Sequence, residues 1–250
     1  MEKIRRTSTI RINKVYYILT SVCCKLAKNK NEKNMKTITT LITLMLAGTL
    51  STSAQIFRES ATGVNPVIPE GWEFSIANGD LNKDGVLDMV VVTTPNYPEH
   101  MKTRDDGYVY NFNQPLLAIY FGESAGHYRL WKSYDDVVPY SDNEYLFIDF
   151  SHNITPRGTL QLSWSEMSSA GSWGNSSTTL TYRYQNGDFY LIGKDEQSMQ
   201  RNTGEMEMVS ENYLTHKQQR VTSNAFDDKV KPRERWSKLP KSALKRLGED

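Results

Sequence analysis

The chain predicts a mainly β, antiparallel single domain, arranged like a propeller, a sandwich or a barrel, and three observations carry that expectation. Apolar and β-branched residues alternate with period two or gather in short runs such as Met89-Val90-Val91-Val92-Thr93-Thr94, a composition that strands favour and helices do not. Turn residues, glycine and asparagine above all, interrupt these runs at a spacing of roughly ten residues, the rhythm of antiparallel sheets. Helical periodicity is scarce, and a short terminal helix over Pro240 to Gly248 is the one expected, with proline near its start and glycine at its end.

Taken in order, residues 1–34 form an upstream extension that lies outside the expected mature protein. Met35-Lys36-Thr37 opens a basic start, Ile38 to Leu50 is an apolar core, and Thr52-Ser53-Ala54 before Gln55 reads as a small-residue cleavage site. Residues 35–54 are therefore expected to be a signal peptide, and the protein secreted or periplasmic. The apolar core is shorter than the roughly 20 residues of a membrane span, and no later segment is apolar enough to supply one. Both cysteines, Cys23 and Cys24, fall in the upstream piece, so disulfides are not expected to hold the exported domain together.

From Gln55 onward the chain carries 20 Lys or Arg against 27 Asp or Glu, a net charge of −7. Eight of those bases lie between Lys229 and Arg246, which divides the mature protein into an acidic β domain over 55–228 and a basic C-terminal tail over 229–250. An acidic body excludes a nucleic-acid partner, since phosphates require clustered cations. The tail is expected either to solvate and pair with the acidic body or to meet an anionic surface.

Within the body, Trp72 to Ala77 alternates as a strand and Met89 to Thr94 follows as a second. A polar loop over Asn96 to Pro115 comes next, expected beside the connection between those two strands. Further strands are expected over Leu116 to Phe121, His127 to Trp131, Tyr145 to Phe150, Thr159 to Trp164, Thr178 to Tyr184 and Phe189 to Ile192. Asn186-Gly187 joins the last two as a two-residue hairpin turn, because both residues readily adopt positive φ. The Ser- and Gly-rich loop from Ser168 to Ser177 holds Trp173, which either folds back onto the core or stands out as a binding anchor.

The connection Asp80-Leu81-Asn82-Lys83-Asp84-Gly85-Val86-Leu87-Asp88 carries the chemistry. Oxygen side chains at alternate positions can converge on a hard cation, which takes six to eight oxygens at about 2.3 to 2.6 Å. Asp80, Asn82 and Asp84 are the expected side-chain ligands of Ca2+, Val86 supplies a backbone carbonyl, and Asp88 binds directly or through water. Gly85 provides the sharp turn. The twelfth position, where an EF-hand requires a bidentate glutamate, is Val91, so an EF-hand is not expected.

Strand, Asp-x-Asn-x-Asp-Gly loop, strand: over Gly71 to Pro95 this pattern resembles an FG-GAP or VCBS-type repeat, the calcium-loop unit of integrin-like β-propellers, present here once. The resemblance implies a calcium-clamped hairpin. Residues 183–219, through Tyr190-Leu191-Ile192-Gly193-Lys194-Asp195 and Asn212-Tyr213-Leu214-Thr215, resemble a recurring portion of exported Gram-negative proteins.

Two enzyme signatures are absent from the sequence: there is no His-Glu-x-x-His and no phosphate-cradling glycine loop. His100, His127, His152 and His216 are scattered without ligand spacing. The expected function is a non-catalytic role binding a protein or glycan. The alternative is an inhibitor or immunity protein against a basic, lysozyme-like cell-wall hydrolase, which an acidic body would suit. A carbohydrate-active enzyme would have to draw its two carboxyls from acids such as Glu166 and Asp149.

Overall fold

The computed structural model describes residues 56–63, 68–124 and 126–249. The expected extension and signal peptide, residues 1–54, lie outside the described residues. The chain is mainly β and every strand pairing is antiparallel.

The first sheet has the order β1-β7-β6-β3-β2, from β1 (Ser60–Thr62), β2 (Glu73–Gly79), β3 (Asp88–Thr94), β6 (Leu116–Ser124) and β7 (His127–Tyr134). Its central strands explain the unbroken apolar runs. Asp88 to Thr93 of β3 and Leu116 to Tyr120 of β6 are buried along their whole length, because both faces of this sheet are covered. Val90, Val92, Leu117 and Ile119 face one core, while Met89, Val91, Ala118 and Tyr120 face another closed by Phe57 and Ala61.

The second sheet has the order β14-β13-β12-β11-β10-β9-β8, built from β8 (Leu146–Ile154), β9 (Thr159–Ser168), β10 (Gly174–Gln185), β11 (Asp188–Gln200), β12 (Glu205–Asn212), β13 (Lys217–Asn224) and β14 (Arg233–Lys238). Its first four strands pack on the first sheet through Ile154, Leu160, Leu162, Tyr182 and Phe189. The turn between β10 and β11 is Asn186-Gly187, with φ of 51° and 80°, as its sequence predicts. No residue of β12, β13 or β14 enters either core cluster, so these three strands form a wing beyond the packed region. Arg233–Lys238 of the basic segment is the outermost strand of that wing. A separate two-stranded ribbon, β4 (Met101–Thr103) and β5 (Val109–Asn111), interrupts the expected Asn96 to Pro115 loop.

The expected terminal helix does not form. Residues 241–245 carry no helical structure, and the segment returns to β11 instead: Leu191 N donates to Lys245 O at 2.9 Å and Leu247 N to Phe189 O at 2.9 Å. Leu247 is 1% exposed and belongs to the core between the sheets. Burial of that side chain, together with backbone pairing to β11, overrides the weak local preference of a nine-residue stretch.

Candidate functional site

The connection between β2 and β3 is held by its own side chains. Lys83 (φ 65°) and Gly85 (φ 85°) both take the left-handed conformation, which curls the loop so that its polar side chains turn onto its amides. Asp80 accepts from Lys83 N at 2.6 Å and from Gly85 N at 3.0 Å. Asn82 Oδ1 accepts from Asp84 N at 3.0 Å, Asp84 Oδ1 accepts from Val86 N at 2.8 Å, and Asn82 Nδ2 donates to Asp84 Oδ2 at 2.8 Å. Leu81, 1% exposed, pins the loop to the core between the sheets.

Asp88 has a different setting from the other acids. It is fully buried at the start of β3, and its oxygens accept from Leu81 N at 2.7 Å, Asn82 N at 3.3 Å and Gly122 N at 2.9 Å. Burial pushes its pKa above the ordinary carboxylate value, the three amides oppose that rise, and the charge of Asp84 adds to it. Among the described residues, none of Asp80, Asp84 and Asp88 takes part in an ion pair.

Two glycines that the sequence marks only as breaks between the expected strands, Gly122 and Gly158, complete the surroundings. A Cβ at Gly122 would lie 2.4 Å from Leu87 O, and one at Gly158, where φ is 72°, would lie 2.4 Å from Asp80 O. The end of β6 and the turn between β8 and β9 therefore clasp the loop from two sides. These close approaches depend on strands remote in sequence, so no local pattern could announce them.

The donor chemistry fits a hard cation: side-chain oxygens of Asp80, Asn82 and Asp84 stand at alternate positions, with the Val86 carbonyl next in the series. The carboxylates do not form a cage by themselves. Among the described residues, no three His, Cys, Asp or Glu side chains come together as a metal site. Asp88 is engaged with backbone amides rather than turned to the loop's exposed side.

With this geometry in place, the segment can be compared with known families. Residues 74–112 match the FG-GAP repeat. The match is to that family's model, in a single copy, and runs from β2 through the loop and β3 to the end of the β4–β5 ribbon. No curated protein and no solved structure matches the chain.

The far end of the FG-GAP segment corrects one expectation. The Asn96 to Pro115 segment follows the end of β3, whereas the Asp80 to Asp88 loop precedes its start, so a strand of about 20 Å separates them. The segment's neighbour is instead the stretch before β8, through Lys102 to Glu144 at 2.9 Å and Tyr140 Oη to Phe112 O at 2.6 Å. On it Tyr108 meets Tyr110 edge to face and Tyr110 stacks on Phe112, with ring centroids 4.9 Å and 5.6 Å apart.

Trp173 stands out rather than folding back: it is 63% exposed. Arg201 supports it, donating from Nε to Trp173 O at 3.2 Å and lying 5.9 Å from the ring centroid, while its Nη2 reaches Ser168 O and Ser172 O. Tyr145, also exposed, accepts through its carbonyl from Ser169 N in the same loop. Glu166 and Asp149 point to opposite faces of the second sheet, since Ile148 pairs with Glu166 and Asp149 with Ser165.

Proposed function

We propose that this is a secreted or periplasmic calcium-binding β protein with a non-catalytic role in binding a protein or glycan, its ion serving the fold. The observation that carries the reading is the loop's donor set: Asp80, Asn82 and Asp84 offer side-chain oxygens at alternate positions, and behind them Asp88 is a buried carboxylate whose pKa is raised by burial and, to a smaller degree, by the charge of Asp84, with no base in ion-pair range among the described residues. Such a concentration of like charge is costly until a cation neutralises it. Asp80, Asn82 and Asp84 would hold the ion with the Val86 carbonyl, and Asp88 would complete the set or orient it from behind. A bound calcium would supply positive charge to the oxygen side chains of this loop. The FG-GAP match over this loop supports the assignment.

The partner surface in this reading is the exposed aromatic region of Trp173 and Tyr145, where rigid aromatic anchors have binding value. Acidic charge and the Arg201-supported Trp173 favour a basic protein partner, and inhibition of a lysozyme-like hydrolase is the specific alternative. Failure to slow peptidoglycan hydrolysis across a panel of such enzymes would remove that alternative.

The test is thermal unfolding in EDTA and across a calcium titration to millimolar concentrations. A rise in melting temperature is expected for the wild type, retained in Lys83→Ala and lost in Asp84→Ala, because Lys83 is exposed and offers no oxygen ligand. Equal responses in the two variants, or no response in the wild type, would overturn the reading.

A further inference from the structure

The wing of β12, β13 and β14 ends in an open strand. All six residues of β14 are exposed, and beyond its ladder to β13 no described strand pairs with it. Which of its backbone groups are free follows from one hydrogen bond. Leu239 N donates to His216 O at 2.9 Å, and that pair continues the β13–β14 register, in which Lys238 is opposite Lys217. Antiparallel pairs alternate between bonded and non-bonded, so Ser237, Arg235 and Arg233 point their amides and carbonyls at β13. The backbone groups of Glu234, Trp236 and Lys238 therefore face the open edge.

Those three residues also share one face of the sheet, and their order is self-complementary about Trp236. We propose that β14 pairs antiparallel with β14 of a second copy of this chain, with Trp236 on the two-fold axis and Glu234 opposite the second copy's Lys238. The register uses every edge-facing residue, giving about six backbone hydrogen bonds, and it is isologous, as a two-fold contact must be. Shifting by two residues in either direction loses one of the three pairs and sets Trp236 opposite a charged side chain.

The charges fix the choice of partner. Lysine and arginine on an edge ordinarily prevent strands from adding. Here the β13–β14 register sets Lys217 opposite Lys238, an unfavourable pair that a second copy's Glu234 would offset from the other side. Arg235 meets Ser237 across the new junction, so no two bases stand directly opposite. Trp236, 62% exposed, already donates its Nε1–H to Glu234, and Gln219 Nε2 donates to the same carboxylate at 3.0 Å. The indole is thereby laid along the strand, where it can pair with its symmetry mate.

Sedimentation equilibrium of the purified protein between about 1 and about 100 µM tests the assembly, and charge exchange tests its register. The wild type is expected to be dimeric in that range. Glu234→Lys places lysine opposite lysine twice per dimer, and Lys238→Glu places glutamate opposite glutamate; each should weaken the dimer by about thirtyfold. The double variant, Glu234→Lys with Lys238→Glu, restores opposite charges across the axis and should return the affinity to within about threefold of wild type. That rescue separates a lost contact from a misfolded wing. A monomer throughout the concentration range, a dimer indifferent to both reversals, or a double variant as weak as the singles would each overturn the proposal.

Discussion

Replacing Asp88 with alanine removes the acceptor for three backbone amides at once. Leu81 N, Asn82 N and Gly122 N donate to its oxygens at 2.7, 3.3 and 2.9 Å, and the residue is fully buried. A buried donor left without a partner costs about 1–3 kcal/mol, so two short bonds and one longer bond imply a loss of about 3–6 kcal/mol. Relief from burying a charged group offsets part of that. Against a typical stability of about 5–15 kcal/mol, Asp88→Ala should be severely destabilised in EDTA, and Asp88→Asn, which keeps one acceptor, less so. Urea unfolding followed by tryptophan fluorescence measures both. The pH dependence supplies a second sign. Because the folded pKa of Asp88 is raised, its contribution is fully present below the ordinary carboxylate pKa and is lost as pH rises through the folded value. The calcium-free wild type should therefore lose stability relative to Asp88→Asn as pH rises above about 4. An alanine variant destabilised by less than about 1 kcal/mol would refute the assignment of Asp88 as the loop's buried anchor.

His152 bridges the sheets by donating from Nε2 to Val90 O at 3.2 Å, and burial lowers its pKa. Its contribution is present above about 6.5 and lost as pH falls, so melting temperatures between pH 5 and 8 should be less acid-sensitive in His152→Gln. Gly158→Ala should cost about 2–4 kcal/mol in denaturant unfolding, through both positive φ and the Asp80 carbonyl. Gly85→Ala, with open space around it, should cost only about 1 kcal/mol by the same measurement. Leu247→Ala should lose about 2–5 kcal/mol, as a core leucine does. Trp173→Ala should leave the melting temperature nearly unchanged while abolishing capture of a protein or glycan partner, which binding measurements on a purified partner would register.

The elements legible in the sequence are those whose side chains are either buried or forced by a turn. The Val90-Val91-Val92 run announced a strand, which the structure covers on both faces, and Asn186-Gly187 announced its hairpin. Strands β12 to β14 were not legible, because Glu-Met-Glu-Met and Arg-Glu-Arg-Trp alternate without a buried side and carry no contrast between faces. The terminal helix was misread because Pro240 and Gly248 are placed as helix boundaries, whereas the partner that decides the segment's conformation is β11, more than fifty residues earlier. At the site, the spacing of Asp80, Asn82 and Asp84 was visible at once. The burial of Asp88 and the clasp by Gly122 and Gly158 were not, since both depend on distances between strands.

The return of the C-terminal segment to β11 gives the wing an unusual mechanical position. A strand at the end of a chain can peel away from its terminus inward, but β14 is followed by a stretch whose Leu247 is locked into the core. The wing is thus a closed excursion: the chain leaves for it from the Gln200 end of β11 and comes back to the other end of the same strand, where Leu247 N donates to Phe189 O. Ordering its strands forfeits less chain entropy than ordering a free tail would, because the two ends are already held together. A protease cut in the connection over 227–231 would relax that closure without freeing the last segment, which would stay attached through the ladder to β13 and through Leu247.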